Sequence, residues 1–148
     1  MPAVFDNQGV RFQYPENWTL EWQESDTTDP SVSVFSPGGA FWTLSIHPPG
    51  TETARLVQVV LDALREEYQE LDAQEAVDSI GDTEMIGYDV NFYCLDLCNT
   101  AVVRGFHTRR ASYVLLCQAE DREFERVREV FRAMTTSLIR EGPDGAVA

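Results

Sequence analysis

The segment NFYCLDLCNTAVVRGFHTRRASYVLLCQA, residues 91–119, decides the fold, because apolar residues occupy both faces of its predicted strands. Alternating side chains predict three strands separated by turns at Asn99 with Thr100 and at Arg109 with Arg110. An antiparallel sheet with one solvated face would alternate more cleanly, so we expect cover on both sides. One face carries Phe92, Cys94, Val103, Val114 and Leu116, and the other Tyr93, Leu95, Leu97, Val102, Phe106, Leu115 and Cys117. Arg104 interrupts the second face, where we expect it to reach an edge or meet an acid.

Two amphipathic helices are predicted as the covers of this sheet. The first begins near Thr51 or Thr53, either of which can cap it, and the second begins at Asp121. Their apolar stripes have the three- and four-residue spacing of a helix face. The stripes are Val57, Val60, Leu61, Leu64, Tyr68 and Leu71 in the first, and Phe124, Val127, Phe131, Met134 and Leu138 in the second.

The remaining strands complete one domain. Residues 10–14 alternate as a strand, and two strands joined through Pro37, Gly38 and Gly39 form a hairpin, followed by a short strand at 76–80. The pattern predicts an α+β fold with a central antiparallel β-sheet sandwiched by helices. We expect a single domain over residues 1–140 and a disordered tail over 141–148.

Cys94 and Cys98 raise the question of a metal or redox site. On one continuous strand they lie roughly 13 Å apart, at about 3.3 Å per residue, which is too far for a disulfide. Cys117 is predicted on the opposite face, so the thiols do not converge on a tetrahedral zinc site. We therefore expect buried structural cysteines, no metal and no cofactor.

Composition excludes several classes of partner. The chain has a formal net charge of −14, and all 11 of its basic residues are Arg, so it lacks the basic stripe that nucleic acid requires. No apolar run approaches the length of a membrane span, and the first residues do not resemble a signal peptide. Three cysteines indicate a reducing compartment, and we expect a cytoplasmic protein.

Catalytic motifs are absent from the sequence. No phosphate-binding glycine loop, metal-binding His pair or nucleophile elbow occurs. His47 and His107 lie at strand ends, and neither has a partner at a spacing that identifies a nucleophile pair. We expect a protein that is not an enzyme.

A family resemblance comes from short motifs along nearly the whole chain. The opening GVRFQYPENW, the hairpin SVSVFSPGGAFWTLSIH and the final DREFERVREVFRAMTTSL resemble the PsbP/Mog-like family. The typical Pro-x-x-Trp is present with Pro15 and Trp18, and the closing pair is Ser137 and Leu138. The family includes the extrinsic PsbP subunit of photosystem II, the Ran-binding Mog protein and bacterial adaptors or chaperones for secreted effectors. The resemblance implies binding without catalysis, with Pro15 and Trp18 in structural roles.

A run of carboxylates is the most distinctive surface feature. The run can be interpreted as a solvated face or as a docking surface for a basic protein partner. For docking, the candidate residues are Glu66, Glu67, Glu70 and Asp72, with Trp22 and Trp42 as an apolar surface. The run comprises Asp62, Glu66, Glu67, Glu70, Asp72, Glu75, Asp78, Asp82, Glu84 and Asp89.

Three functions remain open. The first is a non-catalytic protein-binding or adaptor module. The second is a chaperone-like cradle for an apolar segment of a secreted protein, lined by Trp18, Trp22, Phe41 and Trp42 if these are exposed. The third is an enzyme whose site is assembled from residues distant in sequence.

Overall fold

A computed structural model describes residues 2–141 of the chain. Within that range, nine strands and two helices follow one another. They are β1 (Ala3–Asn7), β2 (Val10–Tyr14), β3 (Thr19–Gln23), β4 (Ser31–Phe35), β5 (Phe41–His47), α1 (Thr53–Glu67), β6 (Leu71–Ile80), β7 (Thr83–Cys94), β8 (Leu97–His107), β9 (Ser112–Glu120) and α2 (Asp121–Glu141). The tail predicted over 141–148 lies outside the described residues except for Glu141, the last residue of α2.

The sheet has seven strands in the order β3-β4-β5-β9-β8-β7-β6, with every neighbouring pair antiparallel. β1 and β2 form a separate hairpin. The α+β class and the central antiparallel sheet are thus confirmed. β1 and β3 had no counterpart in the sequence prediction, and β6 begins at Leu71 rather than near Ala76.

The two faces of the sheet carry two separate apolar clusters, as the sequence predicts. α1 buries Val57, Leu61 and Leu64 against β7, β8 and β9 on one face. α2 packs on the other face together with the β1–β2 hairpin, and its predicted stripe is buried there. Because adjacent residues of a strand point to opposite faces, Val103 belongs to the α1 cluster and Val102 to the α2 cluster.

The start and end of α1 differ from the prediction. Glu52 is the N-cap residue and no side chain caps the helix, while the Thr51 hydroxyl donates to the carbonyl of Pro48. The helix ends at Glu67 because Tyr68 is extended and its ring stacks on Phe92, with centroids 4.0 Å apart. Leu71, in phase with the helical stripe, therefore belongs to β6.

The turn between β7 and β8 also differs. It lies at Leu95 and Asp96, not at Asn99 and Thr100, so residues 91–98 are not one strand. Cys94 pairs with Leu97 and Cys98 with Tyr93, which places the two thiols on opposite faces of the sheet. The separation derived from a continuous strand was therefore based on a wrong premise.

The three cysteines are free. Cys117 is buried as expected, but Cys98 is exposed and Cys94 is only partly buried, so the expectation of buried cysteines is wrong for these two. Among residues 2–141, no three His, Cys, Asp or Glu side chains are grouped as metal ligands would be. In the same range neither helix has the length and apolar character needed to cross a bilayer.

Candidate partner-binding surface

Four predicted docking residues lie together at one end of the molecule, called here the acidic end: Glu66, Glu67, Glu70 and Asp72. Glu66 and Glu67 complete the last turn of α1, Glu70 lies in the connection, and Asp72 is the second residue of β6. All four are exposed. The short connection keeps them close because α1 stops directly before the edge strand.

The acidic end adjoins an exposed apolar turn. The first residues of β6 pair with the last of β7, so Leu71 faces Phe92 and Asp72 faces Asn91. The β7–β8 turn follows directly and presents the hairpin tip, defined here as Tyr93, Leu95, Asp96 and Leu97. Its apolar side chains are exposed to 55% for Tyr93, 92% for Leu95 and 44% for Leu97.

Carboxylates lie near the hairpin tip. The pKa of the Tyr93 phenol is raised, first by its interaction with Cys98 across the hairpin and further by the nearby Glu70 and Asp121. Asp121 is held at the start of α2 by a hydrogen bond from the Thr100 hydroxyl, with a donor–acceptor distance of 2.8 Å. The tip is therefore an apolar protrusion surrounded by negative charge.

The backbone of the tip is conformationally costly. Leu95 and Asp96 have φ values of 52° and 64°, in the left-handed region that Asn and Gly adopt most easily. A leucine that is both strained and almost fully exposed contributes little to folding. Backbone strain of this kind is concentrated at functional sites.

The two tryptophans of the predicted apolar surface, Trp22 and Trp42, do not share one exposed surface. Trp42 is fully buried, with its ring 4.6 Å from that of Phe12 and its indole N–H donating to the Thr135 hydroxyl. The expectation that Trp42 lies on a partner-binding surface is therefore wrong, since its position on β5 points into the α2 cluster. Trp22 is partly buried against Phe5 and lies on β3, the opposite sheet edge from Asp72.

The predicted aromatic cradle is not assembled either. Trp18 is buried edge-on against Phe131. Phe41 belongs to the opposite sheet face from Trp42 because the two are adjacent on β5, and its ring lies near Phe35. Sequence reasoning missed Leu95 because an apolar residue within an alternating run was taken as interior.

Arg104 is the buried charge of the sheet. Its guanidinium forms ion pairs with Asp78 at 2.5 Å and Asp89 at 2.7 Å, so it meets acids as predicted, and its single positive charge offsets one of their two negative charges. Burial acts to lower the pKa of Arg104, but the bonds to Asp78 and Asp89 outweigh burial and raise that pKa. Burial raises the pKa of the neighbouring Cys117 thiol to about 12.

A cleft of ≈ 760 Å³ opens beside Arg104, between α2 and strands β6 to β9. This size falls in the range of small-molecule and peptide side-chain pockets. Its floor is largely apolar and its rim mixes both signs of charge. The lining includes Met85, Val102, Leu115, Phe124, Arg128 and Arg132.

Comparison with known proteins identifies the fold. No protein-family model matches the chain, and no curated protein matches it. Among solved structures, the PsbP of Synechocystis sp. PCC 6803 (CyanoP) matches with a TM-score of 0.63 and 10% identity over 92% of this chain and 90% of its own. PA94 of Pseudomonas aeruginosa, a protein of unknown function, matches with a TM-score of 0.54 and 9% identity over 93% of this chain and 95% of its own. LpqN of Mycobacterium tuberculosis, involved in cell envelope biogenesis, has a TM-score of 0.49 and 14% identity over 90% of this chain and 86% of its own. At these identities the likeness concerns the fold alone, and the chain has a PsbP-like fold.

Proposed function

We propose that this protein is a protein-binding module that docks a basic, partly apolar segment of a partner at its acidic end. The observation that carries the proposal is the 92% exposure of Leu95 at the hairpin tip, where Glu70 lies near Tyr93 of the same tip. An apolar side chain offers contact area, while the surrounding carboxylates select a cationic partner. The net charge of −14 would repel an acidic partner from the whole surface.

Backbone geometry supports the same proposal. The turn is of a type that favours Asn-Gly but here carries Leu95 and Asp96, which costs folding free energy. Leu95 is almost fully exposed, so no buried contact of its side chain offsets this cost. Binding a partner would bury this side chain and give the residue a role. The tip is part of a continuous β7–β8 hairpin, so it is presented on a rigid element.

Capture from the native host's lysate tests the proposal with matched variants. The double variant Glu66→Arg with Glu70→Arg reverses charge at the acidic end, and Leu95→Asp removes the apolar contact. The control, Glu16→Arg with Glu21→Arg, makes the same change in net charge at exposed positions on and before β3. We expect one partner to be retained by the wild type and the control and lost from both site variants. Retention by all four proteins would refute docking at the acidic end.

The chaperone-like cradle is the second candidate, and the cleft beside Arg104 favours it. An apolar segment would enter between α2 and the sheet, over Met85 and Leu115. Thr136→Trp would fill the cleft from α2 without changing charge. Loss of the partner from Thr136→Trp, with retention by Leu95→Asp, would favour the cradle over the docking surface.

A further inference from the structure

A hydrogen-bonded chain joins Ser45, His47 and Asp29 on the sheet face that carries α1. The Ser45 hydroxyl oxygen lies 2.9 Å from Nε2 of His47, and Nδ1 of His47 lies 2.9 Å from a carboxylate oxygen of Asp29. Ser45 and His47 are two residues apart on β5 and therefore share a face. Asp29 comes from the connection before β4. Sequence spacing does not reveal this set, because Asp29 is 18 residues from His47.

The partners fix the tautomer of the histidine. An ionised carboxylate can only accept hydrogen bonds, so Asp29 requires the proton of neutral His47 to be on Nδ1. The Nε2 lone pair then faces the Ser45 hydroxyl, which donates to it. Ser45, His47 and Asp29 therefore have the arrangement of a nucleophile, a general base and a group that orients the base.

A fourth polar group lies next to the serine. Ser31 on β4 is directly opposite Ser45 in the register, which places their Cβ atoms about 5 Å apart on the same face. Its hydroxyl has no hydrogen-bond partner among residues 2–141. Because β5 is paired on both sides, by β4 and β9, neighbouring side chains rather than ladder amides are the available donors. Ser31 can therefore donate to an oxyanion formed on an acyl group at Ser45.

The groups are reachable from solvent. Ser31, Ser45 and His47 are half-buried, and Asp29 is exposed. α1 packs on β7, β8 and β9, beside β5. A small acyl group can approach Ser45 on this part of the sheet, beside α1.

We propose that Ser45 is an acyl-accepting nucleophile and that this face hydrolyses small carboxylic esters. The Ser45 oxygen bonds to the ester carbonyl carbon as its proton passes to Nε2 of His47. The bond from that carbon to the alkoxide breaks, and His47 returns the proton to the leaving alcohol. Water then attacks the acyl-Ser45 ester, giving its proton to His47, and the carboxylic acid leaves as the serine hydroxyl is restored. Asp29 is a positioning residue throughout.

Two measurements on the full chain test this proposal. Mass spectrometry locates the adduct formed with a fluorophosphonate, and absorbance follows hydrolysis of p-nitrophenyl acetate. We expect the adduct on Ser45 and its loss in Ser45→Ala. His47→Gln should slow both reactions by about 10²-fold or more, the usual contribution of a general base. Ser33→Ala, which removes a hydroxyl bonded to Thr43 on the same face, is the matched control and should react like the wild type.

Two conservative substitutions of Asp29 distinguish a positioning role in the reaction from a role in folding. Asp29→Asn should slow adduct formation, and Asp29→Glu, which keeps a carboxylate, should recover part of the rate while both variants retain the wild-type melting temperature. An unmodified Ser45, or ester hydrolysis that is equal in the wild type and in Ser45→Ala, would overturn the proposal. Because β5 is far along the sheet order from β6, either result leaves the docking experiment unaffected.

Discussion

Gly87 lies where β7 and β8 approach closely. A Cβ built on it would be 1.9 Å from the carbonyl oxygen of Val103, a backbone atom that cannot turn aside. Gly87 also faces Arg104 in the register, and Arg104 reaches Asp78 on β6, beyond β7. The missing side chain therefore permits both the close strand approach and the path of the guanidinium.

Gly87→Ala should lower the free energy of unfolding by about 1–3 kcal/mol, as overpacking of a rigid site does. Urea unfolding measures this change. Gly38→Ala is the control, because the atoms nearest to its new methyl group belong to the carboxylate of Glu123, the end of a flexible side chain. An unchanged free energy of unfolding in Gly87→Ala would show that β7 and β8 can separate without cost.

The reactivity of the cysteines tests how firmly α2 covers the sheet. The thiolate is the reactive form, and a pKa raised to about 12 leaves roughly 10⁻⁴ of Cys117 ionised at pH 8. We expect a disulfide reagent to label the exposed Cys98 in the native protein and to label Cys117 only after unfolding, as peptide mapping would show. Rapid native labelling of Cys117 would mean that α2 opens readily over the sheet.

Elements with a regular period were predictable from sequence. The stripe of α2 was predicted residue by residue because a 21-residue helix repeats its apolar positions several times. The β7–β8 turn was not, because Asn99 and Thr100 are better turn residues than Leu95 and Asp96. Strand pairing along β7 and β8 outweighs that local preference.

The same contrast applies to the candidate surface. Exposure of Glu66 and Glu70 follows from the cost of burying charge, so the acidic run was recognisable. The hairpin tip was not, since alternation assigns apolar residues to the interior. Trp42 was misplaced for a related reason: sequence does not tell which of two apolar sheet faces, or which layer, receives an aromatic residue.

Relieving the backbone strain of the β7–β8 turn tests whether Leu95 binds a partner. Leu95→Asn with Asp96→Gly supplies the residues that a two-residue hairpin favours, so the free energy of unfolding should rise by about 1 kcal/mol. Thermal melts measure this gain. If the tip binds a partner, the same variant should lose affinity, because stabilising a functional site commonly costs function. A stabilised variant that keeps full affinity would exclude Leu95 from the interface.

At the scale of the whole molecule, the sheet is open and its two edges differ. β3 carries Trp22 at one edge, and β6 carries Asp72, Glu75 and Asp78 at the other. Antiparallel pairing of β6 with a second copy would bring like charges together, which opposes self-association through this edge. A cationic partner meets no such barrier, so the charge pattern favours binding another protein over dimerisation at β6.

Salt dependence tests whether charge at the acidic end acts at a distance. If it does, the association rate constant with the captured partner should fall steeply as ionic strength rises, since the Debye length shortens to about 8 Å near physiological strength. Glu66→Arg with Glu70→Arg should lower the rate at low salt and flatten its salt dependence, while the control at Glu16 and Glu21 keeps the wild-type slope. Unfolding free energies should change by no more than about 1 kcal/mol, because exposed charges contribute little to stability. Surface plasmon resonance across a salt series measures the rates. Association that is indifferent to salt and to both reversals would make the carboxylates a solvated coating, and binding would then depend on the apolar side chains of the hairpin tip alone.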